Sequence, residues 1–106
     1  MDLMMKALAE IVGTFTIIFV GAGSILVSER YPDLMPVSGI PIAWGLTIAI
    51  MILMLGPISG AHFNPAVTLV FAIAKRLPHA HIGIYWISQI VGGIGAMTLL
   101  EVIKRS

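Results

Sequence analysis

Three stretches of this chain, about 7–27, 37–56 and 82–103, stay apolar for close to the ~20 residues that a helix needs to cross a ~30 Å hydrocarbon layer. Backbone polar groups in such a layer must pair internally, so helices are the element these stretches permit. Of the 106 residues 58% are hydrophobic and only 10% charged, which removes a soluble globular domain. The expected class is therefore an all-α, multi-pass integral membrane protein. A net charge of +1 leaves no basic footprint for nucleic acid, and the lack of cysteine removes disulfides and thiolate metal sites. Lys6 ahead of an apolar run with Ala22-Gly23-Ser24 has the outline of a secretory leader, but the run is long enough to be a retained span.

Between the second and third spans, Asn64-Pro65-Ala66 forms a helix start. The asparagine can cap the first turn, and proline fits the first helical position, where its missing N–H would have no partner. The apolar run beyond it stops at Lys75-Arg76, so 64–74 gives roughly 16 Å of helix, half of the layer. Together with the small-residue loop before it, residues 57–76 read as a re-entrant segment whose positive end points at a pore in mid-membrane. The N-terminus and the 75–81 loop then share one face. That face has Lys6, Lys75 and Arg76 against Arg30, Lys104 and Arg105 on the other, a tie that selects neither orientation. Gly56-Pro57 is expected to end the second span, and Gly13, Gly21, Gly23, Gly45, Gly92 and Gly93 to let helices approach closely.

Ser59–Thr68, with Ala9-Glu10-Ile11-Val12-Gly13-Thr14 upstream and Gln89-Ile90-Val91-Gly92 downstream, resembles the first half of a major intrinsic protein, the family of aquaporins and glycerol facilitators. The resemblance extends over almost the whole chain. It implies that residues 1–106 form one unit of three spans and one re-entrant NPA half-helix, one half of a six-span inverted repeat. The family's second NPA and the arginine that follows it are absent, and Val67 follows this one. A second half is then required to close a pore. It would come from a separate chain, from the remainder of a truncated reading frame or from an inverted copy of the same chain.

The implied function is passive permeation of water and small neutral solutes such as glycerol. If Asn64 Oδ1 caps its own helix, the side-chain NH₂ remains to donate into the pore, and the half-helix start adds a partial charge of roughly +0.5. A passing water then turns its oxygen toward the donors and breaks the proton wire, while cations are repelled. The carbonyls of Gly60, Ala61 and His62 offer acceptors along one wall. This pattern suits uncharged, hydroxyl-bearing molecules.

By the same resemblance, Glu10 braces the NPA loop with His62 nearby, and Gln89 bonds the loop backbone. Trp44 falls at a constriction position, where tryptophan is typical of glycerol facilitators and plant nodulin-like channels. An interfacial belt position for Trp44, and the headgroup edge for Glu10, are the plainer readings. Pro57 stands where the family often has a histidine, which argues against pH gating there. His79 and His81 read as a solvated loop without a third metal ligand. No nucleophile–base pair, phosphate loop or carboxylate pair is present, so neither catalysis nor a cofactor is expected. Two rival classes remain open: a dual-topology, proton-coupled small transporter using Glu10, and a non-conducting truncated remnant. The membrane is taken as a plasma or inner cell membrane.

Overall fold

A computed structural model describes residues 2–106. Its order is α1 (Leu3–Arg30), α2 (Gly39–Ser59), α3 (Pro65–Ile73), a single 3₁₀ turn (His79–His81) and α4 (Ile82–Arg105), with no strand among the described residues. α1, α2 and the 79–105 segment are long and apolar enough to cross a membrane. α3, at nine residues, is about 14 Å long at 1.5 Å per residue and is not.

Polar signals at each end set the helix limits. Asp2 Oδ1 accepts from the Met5 N–H at 2.8 Å and starts α1, satisfying one of the orphan donors of its first turn. α1 then runs on through Ser28-Glu29-Arg30, past the expected end at 27, because nothing breaks the helix before Pro32. α2 differs from expectation at its end. Pro57 lies inside the helix, which continues to Ser59 and stops at Gly60, in the left-handed region at φ +89°. Proline removes one backbone bond, but the Gly60 N–H still reaches Gly56 O at 2.8 Å and closes the last turn. Glycine, not proline, ends this span.

α1 and α4 run parallel. Glu10 and Gln89 each sit seven residues beyond the start of their helix, at Leu3 and Ile82, and their side chains bond at 2.8 Å. At the far ends the Arg30 guanidinium donates to the Lys104 carbonyl. α2 returns antiparallel along α1, and α3 packs on α4. Because α3 leads back to the start of α4, the 75–81 segment lies at the same end of the molecule as the start of α1. Lys75, left-handed at φ 62°, turns the chain there while Arg76 N–H bonds Phe71 O at 2.8 Å.

The expected role of the glycines divides. A Cβ on Gly92 would stand 2.5 Å from Ile11 O and 3.1 Å from Phe15 N, so α4 touches the α1 backbone at that residue. Gly13 and Gly21 instead accept flat rings, Phe63 and Trp44, each within 2.5 Å of where a Cβ would be. Gly45 and Gly93 meet no atom of this chain within 4 Å, so neither makes a close helix approach within this half. Gly92→Ala should therefore destabilise the fold by about 1–3 kcal/mol through overpacking against fixed backbone. Gly93→Ala should be neutral or stabilising by up to ~1 kcal/mol from helix propensity. Denaturant titration in detergent micelles, followed by tryptophan fluorescence, compares the two.

Candidate functional site

The loop from Gly60 to Asn64 is short and conformationally expensive. Gly60, Ala61 and Phe63 all have positive φ, at 89°, 55° and 56°. For the two residues with side chains, left-handed backbone costs of order 1–3 kcal/mol each and persists only where surroundings enforce it. The enforcing group is Glu10, which is fully buried. Its Oε2 accepts from Ser59 Oγ at 2.7 Å and His62 N at 3.1 Å; its Oε1 accepts from Phe63 N and Gln89 Nε2, both at 2.8 Å. Four donors converge on one carboxylate, two of them from the strained loop backbone.

Around this knot lies a second layer of bonds. Tyr85, 1% exposed, donates its hydroxyl to Ser59 O at 2.6 Å, across the end of α2. Ser59 Oγ also accepts from Ala61 N at 3.1 Å. Gln89 Nε2 donates to Thr68 Oγ1 at 2.8 Å as well as to Glu10, so the amide bonds two side chains rather than the loop backbone expected of it. The loop N–H groups of His62 and Phe63 are already taken by Glu10, and Gln89 Oε1 is left buried without a partner. His62 is buried, with Nδ1 2.9 Å from Thr68 Oγ1, and its ring lies between Phe71 and Tyr85 at centroid distances of 4.4 and 4.8 Å.

The half-helix begins as its sequence dictates. Asn64 is extended at φ −156°, its Oδ1 accepts from Ala66 N at 2.8 Å, and Pro65 fills the first helical position. Ala66 follows in the first turn. The Asn64 Nδ2 makes no bond to the described residues. Nor does any described donor reach the carbonyl oxygens of Gly60, Ala61 or His62. The residues that carry these groups border an open groove of about 580 Å³, whose lining also includes Phe71 and, from α1 and α2, Ile17, Ile18, Trp44, Ile48 and Ile52. Trp44 thus shares the groove with Asn64 while its ring rests on Gly21. Glu10 and Gln89 lie behind the loop, outside the groove lining.

Tyr85, Thr68 and Trp86 escaped the sequence reading. Trp86 Nε1 donates to Pro65 O at 3.1 Å, fixing the start of α3 against α4. A signal was present: Tyr85 and Gln89 are four residues apart, as are Asn64 and Thr68, so each pair shares a helix face.

Three long apolar helices, with a capped half-helix re-entering between the second and third, define an all-helical integral membrane protein built around a buried, carboxylate-tied loop. This chain belongs to the major intrinsic protein family, whose sequence profile matches residues 1–106. Among its relatives it is 41% identical over 98 residues to Nodulin-26 of Glycine max, covering 92% of this chain and 36% of that protein. Aquaporin NIP1-2 of Arabidopsis thaliana is likewise 41% identical over 98 residues, covering 92% of this chain and 33% of that protein. Aquaporin Z of Brucella melitensis is 42% identical over 99 residues, with 92% of this chain and 43% of that protein covered. The chain thus spans between 33% and 43% of the length of these relatives.

Replacing Glu10 with glutamine removes two acceptor sites and turns an amide NH₂ toward N–H donors. Stranding buried donors in this way should cost on the order of 3 kcal/mol. Amide hydrogen exchange at His62 and Phe63 should accelerate at least about ten-fold in Glu10→Gln, with exchange in the middle of α1 little changed. Unaltered protection at both amides would contradict the geometry.

Proposed function

We propose that this chain forms one half of a channel for passive permeation of water and small neutral solutes, with the groove beside Asn64 as its permeation path. The observation that supports this reading most is the division of labour within Asn64. Its oxygen is used by the helix cap, and its NH₂ is left beside the groove together with three unbonded carbonyls. Donors and acceptors then line one wall while an apolar wall faces them, an arrangement that accepts molecules with hydroxyl groups and offers a cation carbonyls on one side only, too few to replace a full hydration shell. The partial positive charge at the start of α3 disfavours cations at the same depth.

Roles follow for the remaining residues. Glu10 braces the loop, Gln89 orients behind it, and Trp44 narrows the groove with an apolar ring and one N–H donor. A second half must cover the open side. In support, α2 has only Thr47 and Ser59 buried, so most of its surface is without a partner inside this chain. The names of the relatives, aquaporins and a nodulin, accord with this reading. The rival proton-coupled transporter needs Glu10 to take up and release protons. Four donors already occupy that carboxylate, which favours a structural bracket over a carrier.

Stopped-flow light scattering on proteoliposomes of the purified protein, under sucrose and glycerol gradients, tests the proposal. Shrinkage should be faster than in lipid alone and insensitive to a proton gradient. Asn64→Asp, which exchanges the donor for an acceptor and adds charge, should slow permeation about ten-fold, the equivalent of one lost charge-scale hydrogen bond. Rates equal to those of protein-free vesicles, in a preparation where crosslinking shows the copies paired in inverted orientation, would defeat the proposal.

A further inference from the structure

At the ends of α1 and α4 away from the loop lies a second open slot, of about 470 Å³, which shares no lining residue with the groove beside Asn64. Its walls are apolar, with Phe19 and Val27 from α1 and Leu100 and Ile103 from α4. Ser24 also lines it, but that hydroxyl is already bonded to Gly21 O at 2.6 Å. Gly23 lowers the floor, since a Cβ there would meet only Leu100 Cδ2 within 4 Å, at 3.6 Å. Arg30 and Lys104 are the two charged residues of the lining.

The slot has a definite length. Phe19, Gly23, Val27 and Arg30 follow one another at the three- and four-residue spacing of a single helix face. From Phe19 to Arg30 is roughly 16 Å along α1 at 1.5 Å per residue, about half of a ~30 Å hydrocarbon layer and so the depth of one leaflet. Arg30 is the last residue of α1, and Lys104 stands one residue before the end of α4, which places both cations at the headgroup level. The Arg30 guanidinium donates to the Lys104 carbonyl and thereby keeps the two residues side by side. No carboxylate lines the slot. Among the described residues neither cation has a carboxylate within 4 Å, and Glu101, one turn before Lys104, pairs with Arg105 at 3.4 Å. Two like charges held together without a counter-ion favour an anion between them.

We propose that this slot is a binding site for an anionic phospholipid, with one acyl chain lying along Phe19, Gly23 and Val27 and the phosphate between Arg30 and Lys104. The occupant follows from the two halves of the site together. A free phosphate would use the cationic mouth and leave the apolar trough bare. An apolar helix of a second copy would cover the trough and leave the cations without an anion. A phospholipid supplies a tail of one leaflet's depth and an acidic head at its end, and basic pockets between membrane helices take lipid phosphates in this way. Tyr31, which also lines the mouth, is an aromatic residue at the interface, where such rings are favoured. The site is separate from the permeation path and does not depend on it.

Native mass spectrometry of the purified protein, titrated with phosphatidylglycerol, with phosphatidylcholine of the same chains or with inorganic phosphate, tests this. One phosphatidylglycerol should be retained at least about five-fold more tightly than phosphatidylcholine, and inorganic phosphate should not be retained. Arg30→Gln and Lys104→Gln should each weaken phosphatidylglycerol about five-fold, the worth of one cation at an anionic headgroup. Lys75→Gln, which removes the same charge at the opposite end of the molecule, should leave it unchanged. Val27→Trp, which fills the trough and keeps both cations, should also release the lipid. Circular dichroism checks that each variant is folded. Equal retention of the two lipids, or full affinity in folded Arg30→Gln and Lys104→Gln proteins, overturns the site. A loss in Lys75→Gln equal to that in Arg30→Gln shows attraction to net charge alone and overturns it too. Retention of inorganic phosphate that survives Val27→Trp, or lipid-free dimers that separate in Val27→Trp, overturns the choice of occupant.

Discussion

A single buried carboxylate holds the loop at 60–64 in shape. Glu10 lies seven residues into α1, about 10 Å from its start at 1.5 Å per residue, where an unpaired charge would be severely destabilising. Four donors converge on it, from the end of α2, from two loop amides and from α4. The stabilisation runs both ways. The loop needs an acceptor for backbone amides that no helix can serve, and the carboxylate needs donors at a depth without water. Positive φ at Ala61 and Phe63 is maintained because their neighbours are tied on either side. Remove the carboxylate, and both the strain and the orphan donors are left without compensation.

With the loop fixed, the orientation of the half-helix follows. Trp86 holds the Pro65 carbonyl, Thr68 joins α3 to Gln89, and the Asn64 cap leaves its amide without a partner among the described residues. The polar bonds thus gather on the side of α1 and α4, and the unbonded groups gather on the side of the groove. This segregation links the fold to the proposed permeation. It also explains the use of Gly13 and Gly21, where rings of the loop and of α2 lie flat against α1 and keep the apolar wall close to the polar one.

Much of this was legible in the sequence, for stated reasons. Long apolar stretches have one solution in a bilayer, so three spans could be read from length alone. Asn64-Pro65 combines two independent preferences for a helix start, and the cap geometry follows them. Limits were read less well. Pro57 looks like a terminator, but near the end of a helix it removes only one bond, and the left-handed turn three residues later is what stops α2. Buried hydroxyls were the main omission. Four-residue spacing puts Tyr85 on the face of Gln89 and Thr68 on that of Asn64. It does not name their partners, which lie on other elements, 26 and 21 residues away in sequence. Gly45 and Gly93 show the converse: a small residue signals a close approach only when another element lies over it.

The central claim is that residues 57–76 enter the bilayer and return to the face they left. The natural chain has no cysteine, so an engineered pair can be read without background. In sealed proteoliposomes, a Lys6→Cys, Lys75→Cys double variant treated with a membrane-impermeant thiol reagent should give molecules with either no adduct or two by intact mass, whichever way the protein inserts. A population dominated by single adducts would place the two positions on opposite faces and contradict the account.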